Sequence, residues 1–353
     1  MLPSKPPTAD IPMGRAGGLH ADDVAETDRC EVLRRLADAL ASLRSGAAAT
    51  APGLLGLIGG SPLVALTHLD STDARAEVLV KLEALNPGGS LKDRTALGMI
   101  LDAETRGHLR PGVSLVEATA GNTGIGLAVV AGLRGHALTL VMPARYGGEK
   151  ARICEALGAR VIRVEGDCAG MRECIEVARS LERAGAIFLN QFENAANPCI
   201  HELTTGPEIA AQCSGRIDAL VMGVGTGGTI SGVGRFLRRL HPELEVVAVE
   251  AQGSVIGGGP PGRTRIEGIG NSFVPLTLDR SILSSIVTVA DDDAFGTARR
   301  LAASERILAG PSGGAIVFAA LAVARRLGPG RRVITFIPDA ADRYWSKDLF
   351  PRA

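Results

Sequence analysis

The chain of 353 residues is 46% hydrophobic, and its 38 Lys and Arg equal its 38 Asp and Glu. Such a composition supports one large core or two moderate ones and argues against wholesale disorder. With no net charge and no basic run interleaved with aromatics, nothing gathers a polyanion, so a nucleic acid partner is not expected.

The first 18 residues carry prolines and scattered charges but no continuous apolar stretch of the secretory kind, which predicts a cytoplasmic protein. Residues 1–50 read as an arm with one amphipathic helix, Asp28 to Leu43, that packs on the body, packs on a partner subunit, or extends into solvent.

From Pro62 onward, β-rich runs alternate with helical ones. Strands are predicted at Val78 to Leu82, Ser114 to Glu117, Leu138 to Met142, Arg160 to Val164, Ala219 to Met222, Val246 to Val249 and Val333 to Ile337. Helices are predicted at Asp93 to Thr105, Thr123 to Leu133, Glu149 to Leu157, Met171 to Arg183, Thr229 to Leu240, Asp292 to Ser304 and Gly314 to Leu327. The nearly uncharged run from Thr123 to Leu133 is too short for a bilayer, so no membrane association is expected. Alternation with Val/Ile/Leu-dense strands predicts an α/β fold with parallel sheets covered by helices on both faces. Such sheets bind ligands beyond the carboxyl ends of their strands.

The six cysteines, Cys30, Cys154, Cys168, Cys174, Cys199 and Cys213, form no CxxC pair and read as buried reduced thiols. The histidines show no zinc spacing, so no metal is expected, and His201 reads as structural.

Four strand-to-helix loops carry chemistry. The first, Asn86 to Arg94, puts Lys92 at a helix start, where the macrodipole disfavours its charge and favours the neutral amine that condenses with carbonyls. A solvent-facing lysine after a glycine turn is the plainer reading. The second, Glu117 to Gly124, offers helix-start amides, Thr119, Asn122 and Thr123 to a carboxylate or other small anion, or simply caps a helix. The third, Gly223 to Thr229, lets backbone amides and the hydroxyls of Thr226 and Thr229 approach a phosphate. It also matches GxGxxG at Gly223, Gly225 and Gly228, with Glu250 where a ribose-binding acid belongs, so a dinucleotide-dependent oxidoreductase is a rival. In the fourth, Ala309 to Ala315, Ser312 caps a helix or presents its hydroxyl to a flat ring.

In order and spacing these loops resemble the cysteine synthase and cystathionine β-synthase family, fold-type-II pyridoxal phosphate enzymes, from about Ser61 to Phe350. Further matches are Gln191-Phe192, Asn197-Pro198, Thr204 to Glu208 and Glu267 to Gly270. The resemblance implies two open, twisted, mainly parallel sheets covered by helices, as in the tryptophan synthase β subunit. It implies a larger cofactor-binding domain of residues 51–95 and 198–353 and a smaller mobile domain of residues 96–197. It implies pyridoxal 5'-phosphate as an internal aldimine on Lys92, its phosphate in Gly225, Thr226, Gly227, Gly228 and Thr229, its ring oxygen on Asn122 and its ring nitrogen facing Ser312. Thr119, Ala120, Gly121, Asn122, Thr123 and Gln191 are then the substrate-carboxylate residues.

The implied reaction is β-replacement on O-acetylserine, O-phosphoserine or serine through an aminoacrylate, with Lys92 as the base at Cα, in a homodimer whose partners are a small amino-acid donor and a small nucleophile. β-Elimination, as in a cysteine desulfhydrase or a serine/threonine dehydratase, is the alternative, followed by a non-catalytic regulatory module. Ala120 stands where the family usually has serine, which removes a hydroxyl donor and points to a specialised donor or nucleophile. Arg263, Arg265 and Arg343 read as solvated surface charges, with contact to a phosphorylated or acidic substrate as the alternative. Neither a regulatory nucleotide-binding pair nor a haem arm around His20 and Cys30 is expected.

Overall fold

Two separate sheets organise the chain, and their strands end toward a common cleft. The computed structural model describes residues 21–45, 53–71, 74–110, 112–144, 148–165 and 170–350, and side chains of the first helix from residue 28 to residue 43. The proline-rich start, His20 and Cys168 lie outside the described residues.

In chain order the elements are α1 (Ala21–Ser45), β1 (Leu63–Ala65), β2 (Glu77–Leu82), α2 (Lys92–Thr105), β3 (Leu115–Ala118), α3 (Asn122–Arg134), β4 (Leu138–Pro143), α4 (Gly148–Ala156), β5 (Arg160–Val164), α5 (Met171–Arg183) and β6 (Ile187–Phe188). There follow α6 (Ala196–Ile200), a π-helical turn (His201–Thr205), α7 (Gly206–Gln212), β7 (Ala219–Gly223), α8 (Gly228–Leu240), β8 (Glu245–Ala251), β9 (Ser285–Val289), α9 (Asp291–Glu305), α10 (Pro311–Leu327) and β10 (Arg332–Ile337).

The larger sheet has six strands in the order β1-β2-β10-β7-β8-β9, parallel except for β1, and the smaller has four parallel strands in the order β5-β4-β3-β6. The predicted α/β class and the two parallel-rich sheets are therefore observed. The central strands are apolar on both faces because both are covered. Val221, Val247 and Val333 pack on α9 and α10 through Phe295, Ala298 and Ile316, whereas Leu220, Val246 and Ile334 pack on α7 and α8 through Ile209, Val233 and Leu237. Leu115 and Leu140 of the smaller sheet pack with α2, α3 and α6, and Val116 and Val141 pack on α5. No helix among the described residues is long and apolar enough to cross a membrane.

All seven predicted strands and the seven helices predicted from Asp93 onward are present, with ends shifted by one to three residues or not at all. The segments without a prediction are short or broken. Strands β1, β6 and β9 lie at sheet edges, where half-exposure blurs the apolar pattern. Segment 196–212 carries prolines at Pro198 and Pro207, which read as turns yet sit in the first turns of α6 and α7, where no backbone donor is needed.

Helix α1 exceeds its predicted span and packs on the body. Val32, Leu36 and Leu40 are buried with α2 and α6, and Arg29 and Arg35 pair with Glu202 and Asp102 at 2.9 and 3.1 Å. Cys154, Cys174, Cys199 and Cys213 are buried, but Cys30 is exposed, because it lies on the outward face of α1.

Helices α2 and α3 cross closely because position 126 is glycine, where a Cβ would stand 2.8 Å from the Lys92 carbonyl oxygen. Their amino ends, carrying Lys92 and Asn122, thus face the same cleft.

Candidate active site

The carboxyl ends of β2, β3, β7 and β10 surround a cavity of about 740 Å³. Its lining brings together Lys92, Thr119, Ala120, Gly121, Asn122, Thr123, Gln191, Gly225, Thr226 and Ser312, which the sequence scatters over more than two hundred positions. Gly227, Gly228 and Thr229 continue the glycine turn into α8.

Lys92 opens α2, just after Leu91, whose amide donates to the Pro338 carbonyl at 2.9 Å. Among the described residues no hydrogen bond or ion pair engages its Nζ. Burial pulls the amine down to about 8, against the opposing charges of Asp339 and Glu83. Desolvation, rather than the helix dipole invoked from the sequence, is the principal cause.

The anion loop is preformed. The Gly121 amide donates to Thr119 Oγ1 at 3.0 Å, Thr123 Oγ1 donates to Gln191 Oε1 at 2.6 Å, and Gln191 Nε2 donates to the Ala118 carbonyl at 2.8 Å. Gly121 has φ 151°, and a Cβ there would lie 2.2 Å from Lys150 Cδ, so only glycine fits. Beneath the loop, Glu117 is fully buried and accepts the amides of Ala118 and Gln191 at 3.0 and 3.3 Å. Burial raises its carboxyl to about 8.

Asn122 Nδ2 donates to Asp339 Oδ2 at 2.6 Å and Asn122 Oδ1 accepts from Arg343 Nη1 at 3.0 Å, so both ends of the amide are held by the segment after β10. Ser312 is buried at the start of α10, and its hydroxyl has no protein partner among the described residues. Its Oγ faces Gly268, where a Cβ would stand 3.5 Å away.

The contacts of several cavity residues escaped the reading of the sequence. Lys150 donates to Glu267 Oε2 at 2.6 Å, Lys347 pairs with Glu267 at 2.9 Å, and the Lys150 ammonium lies 4.1 Å from the Tyr344 ring centroid. The Tyr344 hydroxyl in turn donates to Asp339. Lys150 and Glu267 are 117 positions apart, and no local periodicity links them. The three arginines separate: Arg343 is buried and ties Asn122 to the Gly88 carbonyl, Arg265 pairs with Asp291 and Asp292, and Arg263 is exposed at the cavity wall.

The dinucleotide rival loses its acid. Glu250 is buried with one oxygen accepting from the Gly257 amide at 3.1 Å and the other from Thr288 at 3.0 Å, and it does not line the cavity. A second cavity, of about 770 Å³, lies at the amino ends of the larger sheet's strands, where Arg331 and Arg332 are already paired with Asp218 and Glu77.

Residues 54–339 match the family described as pyridoxal-phosphate dependent enzyme. A cysteine synthase of Staphylococcus aureus is 46% identical over 297 residues, covering 83% of this chain and 95% of that protein. The solved O-ureido-L-serine synthase is 40% identical with a TM-score of 0.82, covering 86% of this chain and 96% of that one. The O-acetylserine dependent cystathionine beta-synthase from Helicobacter pylori is 35% identical with a TM-score of 0.82, covering 86% and 99%.

Proposed function

The chain belongs to the family of pyridoxal-phosphate dependent enzymes, and from that premise we propose that it catalyses β-replacement on a small O-activated serine, giving cysteine or a cysteine-like amino acid. The observation that carries the assignment of residues is the unpartnered, desolvated Lys92 Nζ in a cavity that also holds a glycine-rich helix start and a carboxylate-sized anion loop.

The residues present fit the cofactor. Lys92 offers the amine, Gly225 to Thr229 offer amides and hydroxyls for the phosphate, and the Ser312 hydroxyl is free to meet the ring nitrogen. When bound, the cofactor supplies an electron sink for charge that develops at the substrate Cα. Ser312, being neutral, leaves that sink weaker than an aspartate would.

The remaining work falls to the chain. Thr119, Gly121, Asn122, Thr123 and Gln191 orient the substrate carboxylate, which fixes the Cα hydrogen toward Lys92. Lys92 Nζ, as a free amine beside the substrate, would take the proton from Cα, and its lowered basicity keeps the neutral form available near pH 8. Loss of the β-substituent, attack of the nucleophile at Cβ and return of the proton from Lys92 Nζ to Cα complete the exchange.

Residues 96–197 form, in this reading, a smaller unit that closes on a larger unit of residues 51–95 and 198–353, excluding water from the reacting carbons. The separate sheets and the Lys150–Glu267 contact between them support it. The protein is read as a homodimer on the family resemblance, and light scattering tests the dimer.

The test is chemical. Purified protein reduced with borohydride and digested is expected to carry a pyridoxyl adduct on the Lys92 peptide, and O-acetylserine with sulfide is expected to give cysteine. Pyruvate and ammonia as the only products, whatever nucleophile is supplied, would replace the β-replacement reading with β-elimination.

A further inference from the structure

Behind the glycine turn lies a closed chain of buried polar groups that the reaction does not use directly. Asn197, Thr95, His201 and Thr205 are all buried. Position 228 is glycine because a Cβ there would lie 2.1 Å from Asn197 Oδ1, so this chain packs directly against the start of α8.

Its hydrogen-bond polarity can be followed from one fixed acceptor. The Gln191 carbonyl only accepts, so the group that meets it at 2.8 Å is Asn197 Nδ2. Asn197 Oδ1 is thereby an acceptor, and Thr95 donates its hydroxyl hydrogen to it at 3.3 Å. Thr95 Oγ1 then has only lone pairs to offer His201 Nε2 at 3.2 Å, so Nε2 carries the imidazole hydrogen. His201 Nδ1 accepts from Thr205 Oγ1 at 2.9 Å, which leaves no buried hydroxyl in the chain unsatisfied. The opposite tautomer would strand the Thr205 hydrogen. Burial holds this imidazole neutral, its basicity far below the usual range.

The consequence reaches both threonines of the turn. The single His201 Nε2 hydrogen is shared in a three-centre bond with Thr229 Oγ1, at 3.1 Å, so Nε2 offers Thr229 no lone pair and no acceptor among the described residues takes the Thr229 hydrogen. Thr226 Oγ1 accepts from Asn197 Nδ2 at 3.0 Å and from the Gly228 amide at 3.4 Å, so its hydrogen too is left to point outward.

We infer that Asn197, Thr95 and His201 form a positioning relay that holds the Thr226 and Thr229 hydroxyls as donors toward an acceptor-only anion, with His201 acting through Nε2–H. The relay rests on the reading that this turn holds the cofactor phosphate. His201 touches no reacting atom and is a positioning residue.

The experiment compares the dissociation constants of pyridoxal phosphate and of pyridoxal for apoprotein, by visible absorbance, with the ³¹P resonance of the loaded protein as a second readout. Wild type is expected to prefer the phosphate ester, and Thr229→Val to lose about 10- to 100-fold of that preference, the range for one hydrogen bond to a charged group. His201→Asn, whose amide reaches only the Nδ1 side, is expected to lose as much as Thr229→Val and to shift the ³¹P resonance. His201→Gln, whose amide reaches the Nε2 side, is expected to stay near wild type. The double variant His201→Asn with Thr229→Val is expected to lose no more than either alone, because both act on one hydrogen.

Equal loss in His201→Asn and His201→Gln, or additive losses in the double variant, overturns the relay and leaves a merely structural histidine. A wild type that binds pyridoxal as tightly as its phosphate ester overturns instead the reading of the turn, whatever the histidine variants do.

Discussion

Lys150 Nζ stands 2.6 Å from Glu267 Oε2, joining α4 beside the smaller sheet to the turn that follows the larger sheet's β8. The side chains are 3% and 4% exposed, so the pair is desolvated; removing Glu267 strands the Lys150 ammonium, whereas removing Lys150 leaves Glu267 to Lys347. The Lys150 stem also lies on Gly121 of the anion loop. Lys150→Ala and Glu267→Gln are each expected to raise the KM of the amino-acid donor about tenfold, with a smaller effect on kcat. A double-mutant cycle on kcat/KM should return a coupling of roughly 0.5–3 kcal/mol. Additive effects would remove the pair from any part in holding the cleft.

Ala120 lines the cavity next to Gly121 and brings no hydroxyl to the substrate carboxylate. A hydrogen bond to a charged group contributes on the order of 1.5–3 kcal/mol, so Ala120→Ser should lower the donor KM about tenfold. Steady-state kinetics with O-acetylserine check this. A rise in KM would mean that the methyl group makes room for a bulkier substrate.

Lys92 is brought down to about 8 by burial, so its neutral fraction grows as pH rises toward that value and is nearly complete above it. The rate at which apoprotein takes up pyridoxal phosphate should therefore rise about tenfold per pH unit from pH 6 to pH 7 and level off above pH 8. Stopped-flow absorbance measures it. A flat profile would show that another step limits uptake.

Glu117 is raised to about 8 by burial, so it stays protonated in the folded chain at neutral pH but ionises in the unfolded chain. Between its ordinary value near 4.5 and about 8 the folded state binds more protons, and stability falls as pH rises through that window. Glu117→Gln removes this slope. Denaturant unfolding should show the variant gaining on wild type from pH 5 upward, by roughly 3 kcal/mol at pH 7.

Much of the site was legible in local sequence. Lys92, Thr119 to Thr123, Gly225 to Thr229 and Ser312 each sit where an apolar strand or loop gives way to a helix, and that junction leaves a signature of glycine, hydroxyl and amide residues within a few positions. The edge strand β9 and the segment of α6, the π turn and α7 were not legible, since half-exposed edges and first-turn prolines look like loops. Lys150 and Asp339 gave no sign at all, and Glu267 stood out only within the family match Glu267 to Gly270.

The sequence by itself determined the parallel α/β architecture, the strand-to-helix junctions and the lysine at the head of α2, because periodicity and turn chemistry act between residues close in the chain. Only the tertiary structure decided that Lys92 loses its charge chiefly by desolvation, that Asn122 is gripped by Asp339 and Arg343, and that His201 lies behind the glycine turn. Burial and hydrogen-bond polarity depend on which distant segments close around a group, and that is settled by packing rather than by spacing along the chain.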